Sequence, residues 1–452
     1  MHTVPQAREV GKMSLELLGM IMLGLLCIAI FVGFPTAITL LSLGFFFGWA
    51  GFGWERVSNL MVSRYFFVMS NDVLIPVAIF IFMGYVVERS GILDRLFKSI
   101  QIATGPIRGS LYLTVLLTCT IFAAATGIIG ASVTIMGLLA MPAMMKAKYD
   151  VRMSAGVITG GGCLGILIPP SVLLILYGAT AGVSTVQLYA GAIIPGLILS
   201  GLYFGYVILR TNLKPSLGPP LPKEERDFPR KEIIKMLVTS VLPIALLILF
   251  VLGSIVTGWA APTEASACGG AGALILSAIY RKLNWNMLKD SIYQAIRTSS
   301  MVLFLMCGSS LFASVFALLG GAKVIENFVL GLNLPPAGFI WLTMLVIFLL
   351  GWPLEWTEII IIFMPLFLPL LPHFKIDPLW FGIMVAVNLQ TAFLSPPVAM
   401  AAFYLKGVSP PNVTLIDIYW GMGYFMVLQI MALLIVFLFP QVALWLPRVV
   451  FG

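Results

Sequence analysis

Long apolar runs recur from one end of the chain to the other, parted by short polar stretches. Runs near the roughly 20 residues needed to cross a bilayer predict spanning helices. Residues 14–34 and 35–53 read as two spans around a tight Gly33-Phe34-Pro35 turn, and 70–87 as a third. The polar, basic stretch 88–108 predicts a helix lying along the interface. An apolar run at 111–145 has a Gly/Ser/Thr-rich middle at 126–134. After a short basic loop at 146–152 come 153–181 and a span at 186–209. The second half repeats the plan, with spans at 236–259, 263–280 and 299–319 and a polar loop at 281–297. A second apolar run with a polar middle follows at 337–371, then 378–404 and a last long span at 416–442.

Two stretches carry a Pro-Pro pair inside an apolar run: TGGGCLGILIPPSVLLILY (159–177) and NLQTAFLSPPVAMAAFY (388–404). Proline has no N–H and disfavours the α conformation in the residue before it, so each pair breaks its helix. In hydrocarbon, the freed backbone groups persist only where protein, an ion or water satisfies them. The pairs lie 227 positions apart, and Pro142 and Pro365, ahead of each, lie 223 apart. The fold class expected is an all-α polytopic membrane protein, an inverted repeat of about ten spans with two re-entrant hairpins near 111–145 and 337–371. A polar tail (1–12) precedes the first repeat (13–210). A linker at 211–235 leads to the second (236–452), and the broken helices lie at 153–181 and 378–404.

Composition agrees: 60% of residues are hydrophobic and 10% charged, against about 25% charged in soluble domains. The net charge of +8 is scattered over loops, with no basic, aromatic-interleaved stripe for nucleic acid. With each apolar run a hairpin, one face of the bilayer receives 19 of the 26 Lys and Arg residues. That asymmetry marks the cytoplasmic side and puts both termini outside. Two full spans in the first run fit the charge equally well. The five cysteines lie in apolar segments without a C-x-x-C pair, as small core residues do, and two histidines cannot build a His-rich metal site. There is no P-loop lysine motif. The first apolar run lacks a small-residue cleavage site and reads as a retained span.

The candidate chemistry is oxygen-rich and neutral. The first tip, Thr126-Gly127-Ile128-Ile129-Gly130-Ala131-Ser132-Val133-Thr134, offers carbonyls and hydroxyls, the ligands of a hard monovalent cation. Close packing of small residues explains the same pattern. The second tip, Gly351-Trp352-Pro353-Leu354-Glu355-Trp356-Thr357-Glu358, places two carboxylates in an apolar run, where charge is costly and usually functional. Glu355 and Glu358 also suit caps for the following half-helix. Asn388 and Gln390 demand partners in an apolar helix, either a solute or a neighbouring helix. Thr263 is a candidate N-cap for the span that begins near Ala261-Pro262-Thr263-Glu264. No covalent cofactor is expected.

Several segments together resemble the large (M, DctM-like) membrane subunit of tripartite ATP-independent periplasmic (TRAP) transporters. They are FAAATG (122–127), MPAMMKAKYD (141–150), ILIPPS (166–171), APTEASA (261–267), KIDPLWFGIMVAVNL (375–389) and LSPPVAM (394–400). The resemblance implies an elevator-type importer of small organic anions such as C4-dicarboxylates in the bacterial inner membrane. Its coupling ions are sodium, and its partners are a small membrane (Q) subunit and a periplasmic substrate-binding (P) protein.

By the same resemblance, one sodium site draws on Thr126, Gly127, Gly162 and Gly165. The other draws on Gly351, Thr391, Ala392, Ser395 and Val398, largely through backbone carbonyls. The solute would face Gly127, Ser132, Glu355, Trp356, Thr357, Asn388 and Gln390. Where the family often has Ser-Gly-Ser-Ser, this chain has Thr126-Gly127-Ile128-Ile129. A hydroxyl ligand is thereby absent at Ile129 unless Ser132 and backbone oxygens rebuild the site. Ala392 stands for the usual Gly and Ser395 for the usual Thr. The rival readings are a stand-alone anion/sodium symporter of related fold, a passive channel and, remotely, an intramembrane enzyme.

Overall fold

The computed structural model describes residues 14–127, 129–220, 228–396 and 398–452, with the side chains of Ala125 and Thr126 also outside the description. The polar tail 1–12, part of the 211–235 linker, Ile128 and Pro397 therefore lie outside it. Among the described residues the chain is helical and contains no strand. In order, the helices are α1 Leu15–Val32, α2 Thr36–Phe52, α3 Trp54–Met69, α4 Ile75–Arg89, α5 Ile92–Thr104, α6 Ser110–Thr126 and α7 Ile129–Lys146. Then come α8 Val151–Cys163, α9 Val172–Ala181, α10 Thr185–Leu213, α11 Arg230–Val256, α12 Pro262–Ile279, α13 Trp285–Leu318 and α14 Gly321–Gly331. The last are α15 Pro336–Leu350, α16 Trp356–Phe367, α17 Pro378–Leu394, α18 Met400–Val408, α19 Leu415–Leu438 and α20 Gln441–Phe451.

Six of these helices are long and apolar enough to cross a membrane, or up to seven if one bent pair is a single span. Ten spans are expected from the sequence; the breaks divide 153–181 and 378–404 into shorter helices, α2 has 17 residues, and one of the six, Ile129–Lys146, lies in the expected first hairpin. Three local expectations are corrected. The stretch 281–297 is not a polar loop: α13 begins at Trp285, where Asn284 Oδ1 accepts the Met287 N–H (2.9 Å). Its polar residues are used rather than solvated, since Asp290 pairs with Arg89 of α4 at 3.4 Å. Thr263 is not the N-cap of α12. Ala261 holds that position, followed by Pro262, and Glu264 Oε2 accepts the Ala261 N–H (2.9 Å). Finally, α3 was not foreseen, because Glu55, Arg56, Asn59 and Arg64 interrupt its hydrophobic pattern.

The chain divides into two compact units, each assembled from both halves of the sequence. The first comprises the described residues up to Asp72, with Arg297–Val346 and Pro353–Pro378. Here α2 lies along the later part of α13. A Cβ on Gly308 would meet Ala37 O at 2.8 Å, and one on Gly44 would meet Phe312 N at 3.1 Å. One turn further on, Gly48 admits Val315 and Val57. Residue numbers rise together on both sides, so the helices run parallel, held close by glycine. Ser309 Oγ ties α13 to α16 through Ile361 O (2.6 Å), and Phe339 stacks on Phe374 at 4.3 Å.

The second unit comprises Val73–Ile296, Ile347–Trp352 and Leu379–Gly452. Helices α6 and α7 fold back on each other and on α8. α8 runs parallel to α19, with Arg152, Gly156 and Gly160 meeting Asp417, Gly421 and Phe425 in turn. A second crossing joins α10 to α17, where a Cβ on Gly191 would lie 3.3 Å from Leu379 and 3.5 Å from Ile383. Positions 156 and 383 differ by 227, and 191 and 421 by 230. The sequence repeat thus relates the two crossings, with the glycine on α8 and α19 in one and on α10 in the other.

Candidate functional site

The first break is built by its own backbone. α8 stops at Cys163, a short 3-10 turn spans Leu164–Ile166, and α9 starts after Ser171. The Pro169–Pro170 bond is cis. Two of the carbonyls beside the break are taken by protein: Ser171 Oγ donates to Ile166 O, and Tyr189 Oη donates to Ser171 O (3.4 Å). Gly165 sits buried in the 3-10 turn.

The tip of the α6–α7 hairpin approaches this break. Thr126 ends α6, and Gly127 terminates the helix in the left-handed conformation (φ +61°), donating its N–H to Ala123 O (3.3 Å). A Cβ on Gly127 would lie 3.5 Å from Pro170 O and 3.6 Å from Val172 N. Ser132 is buried in the first turns of α7. The next residue, Val133, fills the space that a side chain on Gly162 would need. Of the other α8 glycines, Gly161 admits Cys119 of α6 and Gly160 admits Phe425 of α19. Close packing on three sides therefore accounts for this cluster whether or not an ion is bound. A Cβ on Gly130, in the first turn of α7, would lie 3.2 Å from the Tyr404 ring.

The second break has more side-chain chemistry. α17 ends at Leu394 and α18 begins at Met400, with Ala399 left-handed (φ +41°) and its N–H on Ser395 O (3.1 Å). Gly351, just past α15, lies so close to Ala392 that no Cβ fits. Trp352 Nε1 donates to Ser395 Oγ (3.2 Å), and Ser395 Oγ donates in turn to Ala392 O (3.3 Å). A serine oxygen carries two lone pairs. With its proton on Ala392 O and one lone pair on Trp352, Ser395 keeps one lone pair for a ligand. Val398 is half-buried in the turn between the two half-helices.

Thr391 Oγ1 donates to Asn388 O (2.6 Å) within the helix, and Asn388 is buried. Gln390 is fully buried, and neither of its amide atoms has a hydrogen-bond partner among the described residues. Glu355, Trp356 and Thr357 belong to the first compact unit. There Glu355 is the N-cap of α16, and its N–H donates to Glu358 Oε2 (3.0 Å). Glu358 is thus a capping residue. Thr357 is buried, and its hydroxyl has no partner among the described residues. Trp352 was not singled out from the sequence. The signal was present, since an indole N–H in an apolar run must find an acceptor.

Against families of known proteins, residues 19–442 match the model described as "Tripartite ATP-independent periplasmic transporter, DctM component". The chain belongs to this family. A C4-dicarboxylate TRAP transporter large permease protein DctM from Pseudomonas aeruginosa is 27% identical, with 87% of this chain and 90% of that protein covered. A 2,3-diketo-L-gulonate TRAP transporter large permease protein YiaN from Escherichia coli is 26% identical over 95% and 98% of the two chains. Among solved structures, the Alcanivorax borkumensis YdaH transporter shares the fold with a TM-score of 0.59, covering 88% of this chain and 89% of that one at 15% identity. This family member is thus a large TRAP permease subunit and a multi-pass membrane protein. Membership in a transport family removes the intramembrane enzyme from consideration.

Proposed function

We propose that this permease imports a small organic acid across the bacterial inner membrane, coupled to sodium ions. Its working form includes a small membrane subunit and a periplasmic binding protein. The observation that carries the reading is the seating of a glycine-bearing hairpin tip on the break of a discontinuous helix, twice. Gly127 sits at Pro170 and Val172, while Gly351 sits at Ala392 and Trp352 at Ser395. Half-helix ends of this kind offer carbonyl oxygens to a cation and N-terminal dipoles to a carboxylate. The C4-dicarboxylate and 2,3-diketo-L-gulonate named for the two relatives are both organic acids, which supports a carboxylate as the common recognition element.

In this reading Thr126, Gly127, Gly162 and Gly165 surround one ion. Gly351, Thr391, Ala392, Ser395 and Val398 surround the other, and Ser132, Asn388 and Gln390 face the solute. Each cation moved inward down 100 mV contributes about 2.3 kcal/mol, enough to draw an anion in when more positive than negative charge moves. The crossings at Gly156–Gly421 and Gly191–Ile383, exchanged by the repeat, support an inverted-repeat architecture.

The test is uptake of labelled organic acids into proteoliposomes containing the permease and its small subunit, with the binding protein outside. Uptake should require both an inward sodium gradient and the binding protein. Full uptake without the binding protein would make it a stand-alone symporter, and uptake indifferent to sodium would end the coupling proposal.

A further inference from the structure

The C-terminal end of α10, which the basic loops mark as cytoplasmic, carries a cation without a carboxylate. Arg210 is partly buried, and among the described residues no acidic side chain pairs with it. Its guanidinium lies over the Tyr424 ring of α19, 5.7 Å from the ring centre. Tyr206, one turn earlier in α10, stacks on the same ring at 6.0 Å. The carboxylates at this end are engaged elsewhere: Asp150 Oδ1 accepts the Met153 N–H (2.8 Å), and Asp417 pairs with Arg152. Lys214 lies one turn beyond Arg210, with its N–H on Arg210 O (2.9 Å), and is exposed. Beside this polar head an apolar face opens outward. Tyr424 is 50% exposed, and Trp420, Val427, Met431 and Leu434 share its side of α19 at helical spacing, all exposed.

A guanidinium resting on an aromatic face keeps its in-plane N–H donors for another partner. Its planar fork suits a phosphate, which it binds through two parallel hydrogen bonds. Basic recesses between spanning helices on the cytoplasmic side take anionic lipid headgroups, and an exposed apolar stripe below one takes the acyl chain. A zwitterionic headgroup brings its own cation, which Arg210 and Lys214 would repel. We propose that Arg210 and Lys214, on the shelf made by Tyr206 and Tyr424, bind the phosphate of one anionic phospholipid. Its acyl chain lies along Tyr424, Val427 and Met431 of α19. The site is independent of which solute or ion the permease carries.

The experiment follows thermal unfolding of the full chain with its small subunit in neutral detergent. The additions are dioleoyl phosphatidylglycerol, phosphatidylcholine with the same chains, or inorganic phosphate. Phosphatidylglycerol should raise the midpoint more than phosphatidylcholine, and phosphate alone should not reproduce the rise. Arg210→Gln should lose the difference between the two lipids, and Lys214→Gln should reduce it. Arg152→Gln should keep it, because Arg152 is already held by Asp417. Equal shifts for the two lipids would overturn the site, as would the same shift with phosphate alone. So would an intact difference in Arg210→Gln, or an equal loss in Arg152→Gln. A density map in phosphatidylglycerol nanodiscs needs no variant and should show a headgroup at the Arg210 guanidinium. A bare guanidinium there, or a helix of the small subunit covering Tyr424 and Val427, would overturn the proposal.

Discussion

Gly156 of α8 and Gly421 of α19 cross with no room for a side chain on either. A Cβ on Gly156 would collide with Gly421 O, and one on Gly421 would collide with the Arg152 carbonyl. Backbone, unlike the end of a flexible side chain, cannot step aside. Gly421→Ala should therefore separate the helices and destabilise the protein by about 1–3 kcal/mol or more, as overpacking does. Gly201→Ala is the control: nothing lies within 4 Å of its Cβ position in α10, and replacing a helical glycine there should be neutral or stabilising by up to about 1 kcal/mol. Thermal unfolding in detergent or nanodiscs checks both, and equal behaviour of the two would contradict the crossing.

At the same crossing, Arg152 Nε and Asp417 Oδ1 pair at 3.1 Å, with the arginine side chain 56% exposed. A pair open to water is worth about 0–1 kcal/mol. A double-mutant cycle with Arg152→Ala and Asp417→Ala should show weak, salt-sensitive coupling, far smaller than the effect of Gly421→Ala. Coupling that matched the glycine effect would mean that charge, not close approach, joins the helices.

The second tip offers a reciprocal test. Gly351→Ala should abolish uptake, because the new methyl meets Ala392 Cβ. Adding Ala392→Gly returns the missing volume and should restore much of the activity. If the double variant stays as inactive as the single, the contact between tip and break is not what the first change destroyed. Uptake at matched surface expression is the readout.

Ser395 carries the most specific ion assignment. Ser395→Ala removes an oxygen that already accepts from Trp352 and donates to Ala392 O. It should raise the sodium concentration for half-maximal uptake. Trp352→Phe removes a donor, not a ligand, and should shift sodium dependence much less. Identical sodium curves for wild type and Ser395→Ala would remove Ser395 from the ion site.

Glu358 makes the opposite kind of prediction. Its carboxylate caps α16 by accepting the Glu355 N–H, so Glu358→Ala should lower stability by about 0.5–2 kcal/mol, in the range of lost helix caps. Glu358→Gln keeps an acceptor and should retain most of that stability. Loss of uptake in Glu358→Gln at full stability would give this carboxylate a transport role instead.

The hydrophobic pattern by itself determined that this is a helical membrane protein, where its helices break and that the breaks recur 227 positions apart. These follow from local physics: apolar length, the missing proline N–H and the need to satisfy backbone in hydrocarbon. Polar residues in apolar surroundings marked Asn388 and Gln390 for the same reason. The α13 start was misread because local polarity does not reveal that Asp290 will meet Arg89 on another helix. Only the tertiary structure decided what the glycines of α8 pack against and that Trp352 donates to Ser395. Each is a distance between residues remote in the chain, and periodicity along one helix carries no information about which neighbour it will meet.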